Sequence, residues 1–169
     1  MPQEIERKFL VNQLPEEIQS AKALPIEQGY LAIDPEGKEV RLRRIGDSCW
    51  LTVKSKGELI RKEFETKLSI EQFDQLWPAT KGKRLQKTRF LLQRNSYTIE
   101  VDQYHQPLAG LIVAEVEFDS AKAAEQFQAE SWMGKEVTHL NFMKNKNLLQ
   151  FDRLEDLKEI LRQEKIDAT

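Results

Sequence analysis

Cysteine is almost missing from this chain: Cys49 is the only one in 169 residues. That excludes a disulfide scaffold and any cluster of thiolate metal ligands, and it fits a reducing compartment, so a cytoplasmic setting is expected. Cys49 lies in the alternating stretch "SCWLTVK" and is read as a small, half-buried strand residue rather than a nucleophile. Histidine is nearly as scarce. His105 and His139 stand apart from any nucleophile or ligand set, so both are read as structural or exposed. No apolar run approaches the length of a membrane span, and no basic segment leads into one at the start, so no membrane role is expected. An excess of one charge is absent too: the formal net charge is −2, which argues against a nucleic-acid partner. There is no internal repeat, low-complexity tract or linker, and the length suits one domain.

What the chain has in quantity is charge, 32% of its residues, arranged in short alternating segments. "EIERKFLV", "EQGYLAI", "EVRLRRIG", "SCWLTVKSK", "IRKEFETKL", "LQKTRFLLQR", "SYTIEVDQYH" and "GLIVAEVEF" read as antiparallel strands, with turn signals such as "DPEGK" and "IGDS" between several of them. About eight strands with short hairpin loops favour a barrel over an open sheet, which would leave exposed edges. Helices are expected in "LPEEIQSAKAL", in "SIEQFDQLWPAT" with Ser69 and Gln72 at capping-box spacing, and in "DSAKAAEQFQ" capped by Ser120. The closing "DRLEDLKEILRQEK" places Leu154, Leu157, Ile160 and Leu161 on one side of an amphipathic helix. Residues 1–150 therefore form the domain, and 151–169 a helix packed on it; a partner-binding helix is the alternative.

The charged side of each strand is the informative one. Glu4, Glu6 and Lys8 share a face, as do Arg41 and Arg43, then Arg61, Glu63 and Glu65, then Lys87 and Arg89. Lys54 lies beside Thr52, Glu100 beside Asp102, and Glu115 beside Glu117. A solvated sheet face is richer in Thr, Ser and Gln, and same-sign neighbours cost stability unless an opposite charge lies among them. A closed barrel resolves this by holding a basic and an acidic bank inside. Val40, Leu42, Val53, Ala114 and Val116 then face outward, toward helices. Arginine forks suit phosphate oxygens, and carboxylates suit hard divalent cations that bridge to phosphate. Glu4 and Glu6 would share a cation while Lys8 reaches a phosphate.

With those residues in view, "EIERKFLV" carries the ExExK pattern and resembles the CYTH superfamily, the triphosphate tunnel metalloenzymes. The resemblance continues in order through "EQGYL", "VRLRR", "LTVKSKG", "RKEFE", "LQKTRF", "IEVDQYHQPLAGLIVAEVEF" and "WMGKEVT", about residues 3–149. It implies an α+β fold: an eight-stranded antiparallel β-barrel, the tunnel, with helices packed outside, binding triphosphate with Mg²⁺ or Mn²⁺. Carried over residue by residue, it implies phosphate contacts from Lys8, Arg41, Arg43, Lys54, Lys87 and Arg89. It implies metal contacts from within Glu4, Glu6, Glu65, Asp102, Glu115 and Glu117, and chemistry centred on Lys8, Arg43, Lys54 and Glu63. Glu100 registers against the family pattern in more than one way, and Tyr30 and Lys135 fall in recurring segments without an assigned role. The implied activity is metal-dependent hydrolysis of inorganic tripolyphosphate or a small organic triphosphate. The alternatives are a class IV-type adenylate cyclase and a non-catalytic polyphosphate- or nucleotide-binding module. A homodimer is compatible with the sequence.

Overall fold

The computed structural model describes residues 3–55 and 61–164; the side chains of Gln3, Glu4 and Arg61 lie outside the described set. The strands are β1 (Gln3–Glu4), β2 (Glu6–Leu10), β3 (Ala23–Ile33), β4 (Glu39–Ile45), β5 (Ser48–Lys54), β6 (Arg61–Leu68), β7 (Arg84–Gln93), β8 (Thr98–Tyr104) and β9 (Ile112–Glu117). All described pairings are antiparallel, in the order β1-β6-β5-β4-β3-β7-β8-β9-β2. β1 and β2 are one segment interrupted at Ile5, so the eight expected strands are present. That segment meets both ends of the sheet: Glu4 opposes Arg61 and Glu6 opposes Glu117. The sheet is curled, and chain continuity through Ile5, rather than an unbroken ladder, joins its two ends. The other edge of β2 is covered by residues 134–137, through Leu10 N–H to the Lys135 carbonyl (2.9 Å) and Val137 N–H to the Lys8 carbonyl (2.8 Å). Gly134 permits this approach, since a Cβ there would stand 2.8 Å from the Leu10 carbonyl oxygen.

Among the described residues, four α-helices lie outside the sheet: α1 (Ile70–Leu76), α2 (Ala121–Gln126), α3 (Asn145–Leu148) and α4 (Leu154–Gln163). The capping box at Ser69 and Gln72 opens α1, and Phe73 and Trp77 stack at 5.0 Å over the apolar side of β4 and β5. Gly29 lets the following turn reach β3, because a Cβ at that position would lie 2.6 Å from Thr80. Ser120 caps α2 by accepting from the Ala123 N–H. Leu157 and Leu161 of α4 are buried with Leu10, Leu85 and Val113, while Leu154 and Ile160 flank them. Each such leucine is worth about 2–5 kcal/mol against alanine.

Two expectations differ from the structure. "LPEEIQSAKAL" forms only a 3-10 turn, Glu16–Ser20, with Ile18 its one buried residue. From Ala23 onward the chain is drawn into β3 by pairing with β7, and a helix of one or two turns without a buried face cannot compete with that ladder. The outward apolar positions Leu42, Ala114 and Val116 are buried and Val40 half-buried, but Val53 is 39% exposed. No described helix crosses the outer side of β5 and β6 there, and Phe64, the cross-strand partner of Val53, is exposed as well.

Candidate active site

Strand register puts the charged residues together. Lys8 faces Glu115 across β2 and β9, Lys54 faces Glu63 across β5 and β6, and Arg89 faces Asp102 across β7 and β8. The inner faces enclose a cavity of about 550 Å³ whose lining includes Lys8, Arg41, Arg43, Lys54, Lys87 and Arg89. All six expected phosphate contacts therefore converge, and Glu6, Glu63, Glu65, Glu115 and Glu117 share the same space. The side chain of Glu4 lies outside the described residues. His105 is turned away and meets the Thr88 hydroxyl at 2.9 Å.

The ions are linked in pairs. Lys8 Nζ lies 2.7 Å from Glu115 Oε1, Lys54 Nζ 2.9 Å from Glu63 Oε2, and Arg43 Nη2 2.9 Å from Glu65 Oε2. The Thr52 hydroxyl also donates to Glu65, at 3.0 Å. Burial opposes the charge on Lys8, but Glu115 and Glu6 outweigh it and hold its pKa above the ordinary value. Glu115 is likewise buried, yet Lys8, Lys87 and Arg89 hold it well below the usual carboxylate range. Burial lowers Arg43, and neighbouring Arg41 adds to the effect. Arg41 is 5% exposed, its Nε has no hydrogen-bond partner, and no carboxylate among the described residues pairs with it.

Asp102 stands apart from its expected role beside a metal. It is fully buried, does not line the cavity, and both its oxygens are engaged from within the protein. Arg89 donates to it through Nε and Nη2, each at 2.7 Å, and Lys87 through Nζ. These cations hold Asp102 below its normal pKa despite burial. Burial, with Arg89 beside it, pulls Lys87 down.

Several lining residues were not singled out as ligands from sequence. Glu100 joins Arg89, and its pKa is raised by burial, with Glu115 and Asp102 adding to the rise. Glu39 has the same strand parity as Arg41 and Arg43, a signal present in "EVRLRR". Gln28 and Tyr30 share a parity in β3, with Gln28 Nε2 donating to Tyr30 Oη at 3.3 Å. Lys144, Asn145 and Lys146 also line the cavity; they come from a turn and the short α3, where no periodicity announces them.

Among the described residues, no three His, Cys, Asp or Glu side chains converge as a ready metal cluster. The candidate donors are carboxylates: Glu6 and Glu117 are direct cross-strand partners and both reach the cavity. One or two carboxylates, with water and phosphate oxygens completing the shell, are the usual donor set for a hard cation such as Mg²⁺. The residues present therefore fit such an ion.

No protein-family model matches the chain. An inorganic triphosphatase of Nitrosomonas europaea is 42% identical over 146 residues, covering 86% of this chain and 95% of the relative. An inorganic triphosphatase of Acetivibrio thermocellus is 33% identical over 153 residues, covering 89% and 95%. A crystal structure described as the inorganic triphosphatase NE1496 superposes with a TM-score of 0.68 at 38% identity, covering 88% of this chain and 99% of the other. No helix of the described residues is long and apolar enough to cross a membrane.

Proposed function

The chain belongs to the inorganic triphosphatases of the CYTH superfamily, and from that premise we propose that it hydrolyses inorganic tripolyphosphate in its charged cavity, with Mg²⁺ or Mn²⁺ and in the cytoplasm. The observation that carries this reading is the Arg41 guanidinium. It is buried beside Arg43 with no carboxylate partner among the described residues, in a cavity already lined by five other cations of the predicted set. An enclosed guanidinium without a counter-ion is costly until an anion enters, and a triphosphate supplies several negative oxygens suited to guanidinium forks.

Glu6 and Glu117 are the carboxylates proposed to hold the cation, which supplies charge neutralisation on phosphate and acidifies bound water. Arg41 and Arg43 grip the phosphate chain from β4, while Lys8 and Lys54 approach from β2 and β5. Together they fix the chain in line and stabilise negative charge as it shifts to the leaving oxygen. Asp102 is proposed to act from below, by orienting Arg89 and Lys87 toward that chain. Water attacks phosphorus, the anhydride P–O bond breaks, and the proton of the water passes to a carboxylate. Glu63, held by Lys54, and Glu100, whose burial raises its affinity for protons, are the two proposed to accept it.

Phosphate release from tripolyphosphate, thiamine triphosphate and ATP, each with Mg²⁺, Mn²⁺ or a chelator, tests the reading, with cyclic AMP measured alongside. Tripolyphosphate should be the best substrate and the chelator should abolish turnover. Efficient cyclic AMP formation from ATP would overturn the hydrolase assignment.

A further inference from the structure

Among the described residues, nothing covers one part of the outer side of the sheet. Val40, Val53 and Phe64 stand in one cross-strand row on β4, β5 and β6, alternating with the inward Lys54 and Glu63. Burial falls along this row: Val40 is half-buried, Val53 is 39% exposed and Phe64 is 58% exposed. α1 shields only the neighbouring rows, where Phe73 packs with Leu42 and Cys49. Ile70 shares the side of α1 that carries Phe73 and Trp77, at i, i+3 and i+7, yet it is 51% exposed. The apolar side of the helix therefore runs on past the core toward β6. Grouped exposed side chains of this size differ from the single apolar residues scattered over an ordinary surface. Charges of opposite sign flank the group. Lys62 stands two residues before Phe64 on β6, and Glu71 follows Ile70 in the first turn of α1. Both are exposed, and neither has an ion-pair partner among the described residues.

We propose that this face seats a second copy of the chain, packed sheet on sheet about a two-fold axis that crosses the strands near Thr66. Such an axis reverses β6 of one copy over β6 of the other. It sets Phe64 against Ile70 of the second copy and Lys62 against its Glu71, and symmetry makes each contact twice. The charges select this arrangement. With the axis along the strands instead, Lys62 would meet Lys62 and Glu71 would meet Glu71, and like charges face to face oppose association. Thr66 is exposed, small and uncharged, and it lies between the two ends of the patch, where the sheets come together. The exposed apolar side chains offer on the order of 400 Å². A standard interface needs about 800 Å² from each partner, so the polar flanks complete the contact and the dimer is expected to be reversible. The proposal uses no residue of the phosphate or metal set and stands apart from the triphosphatase reading.

Sedimentation velocity of the purified full chain, run from about 1 to about 200 µM, tests it. The dimer should dominate at the upper end and dissociate on dilution. Phe64→Glu places a charge where the two sheets meet and should leave a monomer throughout, while its thermal melt at the dilute end matches wild type. Lys62→Glu and Glu71→Lys should each weaken association by at least about tenfold, since either change sets like charges together at two places. The double variant Lys62→Glu with Glu71→Lys should recover wild-type affinity, which a loss of fold could not do. Should Phe64→Glu misfold, the charge exchange decides alone. A monomer at the highest concentration would overturn the proposal and leave the face to another segment of the chain or to a different partner. A dimer that survives Phe64→Glu would place the contact elsewhere and overturn it equally. Failure of the double variant to recover would reject the pairing of Lys62 with Glu71 and, with it, the arrangement about this axis.

Discussion

Replacing Asp102 by alanine should destabilise the free protein severely. Asp102 is wholly buried and is the counter-charge for both Lys87 and Arg89, which are 2% and 8% exposed. Removing one partner of a buried ion cluster leaves uncompensated charge and costs about 3–5 kcal/mol. Lys87 has an outlet, because burial already lowers its pKa and it can lose its proton; Arg89 stays charged but keeps Glu100 and Glu115 as partners. The lower half of the range is therefore expected. For a chain of this length, 3–5 kcal/mol corresponds to a fall in Tm of about 6–20 °C. Thermal melts and urea titrations without metal or phosphate measure it. Tripolyphosphate should then rescue the variant more than it stabilises wild type, because its oxygens provide the missing negative charge; at a hundredfold excess over Kd, binding alone contributes about 2.7 kcal/mol. An Asp102→Ala protein that melts with wild type in the absence of ligand, yet loses its stabilisation by divalent cation, would refute this reasoning and return Asp102 to the metal site.

Arg41→Ala should behave in the opposite sense: unchanged or raised Tm without ligand, because it relieves repulsion with Arg43, and tripolyphosphate affinity weakened by roughly 10- to 100-fold in calorimetry. Glu6→Gln should lower metal-dependent turnover by about 100-fold or more while phosphate-chain binding persists, since the amide keeps the shape but removes a charged oxygen ligand. Stability should fall on acidification. Asp102 and Glu115 are held below their unfolded pKa values of about 4, so the stability they contribute is complete above that pH and is lost as pH falls through their lower folded values. Glu100 opposes this, because its raised pKa means that protonation relieves a cost of folding. Urea midpoints between pH 6 and pH 3 should show the net loss, and a flat profile would contradict it.

The inner face of the barrel was legible because strand period is simple: charge at every second position in "VRLRR" or "VAEVEF" projects to one side whatever the rest of the fold does. Depth was not legible. Asp102 and Glu115 look alike in sequence, yet one lies beneath the cavity and the other lines it, because cross-strand neighbours decide which carboxylate the arginine covers. The exposure of Val53 could not be foreseen either, since it depends on where α1 comes to rest after β6. Lys144 and Lys146 escaped because they belong to no strand or long helix, and their position follows from the burial of Met143 and Leu148 far from any local pattern.

The first strand holds both ends of the sheet, and this has a consequence for biosynthesis. Residues 3–10 are synthesised long before their partners on β9, which follow about 110 residues later, a separation that makes ring closure one of the late, slow steps of folding. Meanwhile the strand must wait unpaired, and its alternating Glu4, Glu6, Arg7 and Lys8 keep it a poor template for aggregation. Deleting residues 3–10 would remove the staple from both sides of the ring at once, and the truncated chain should accumulate as an insoluble product while a carboxyl-terminal fusion remains in the supernatant.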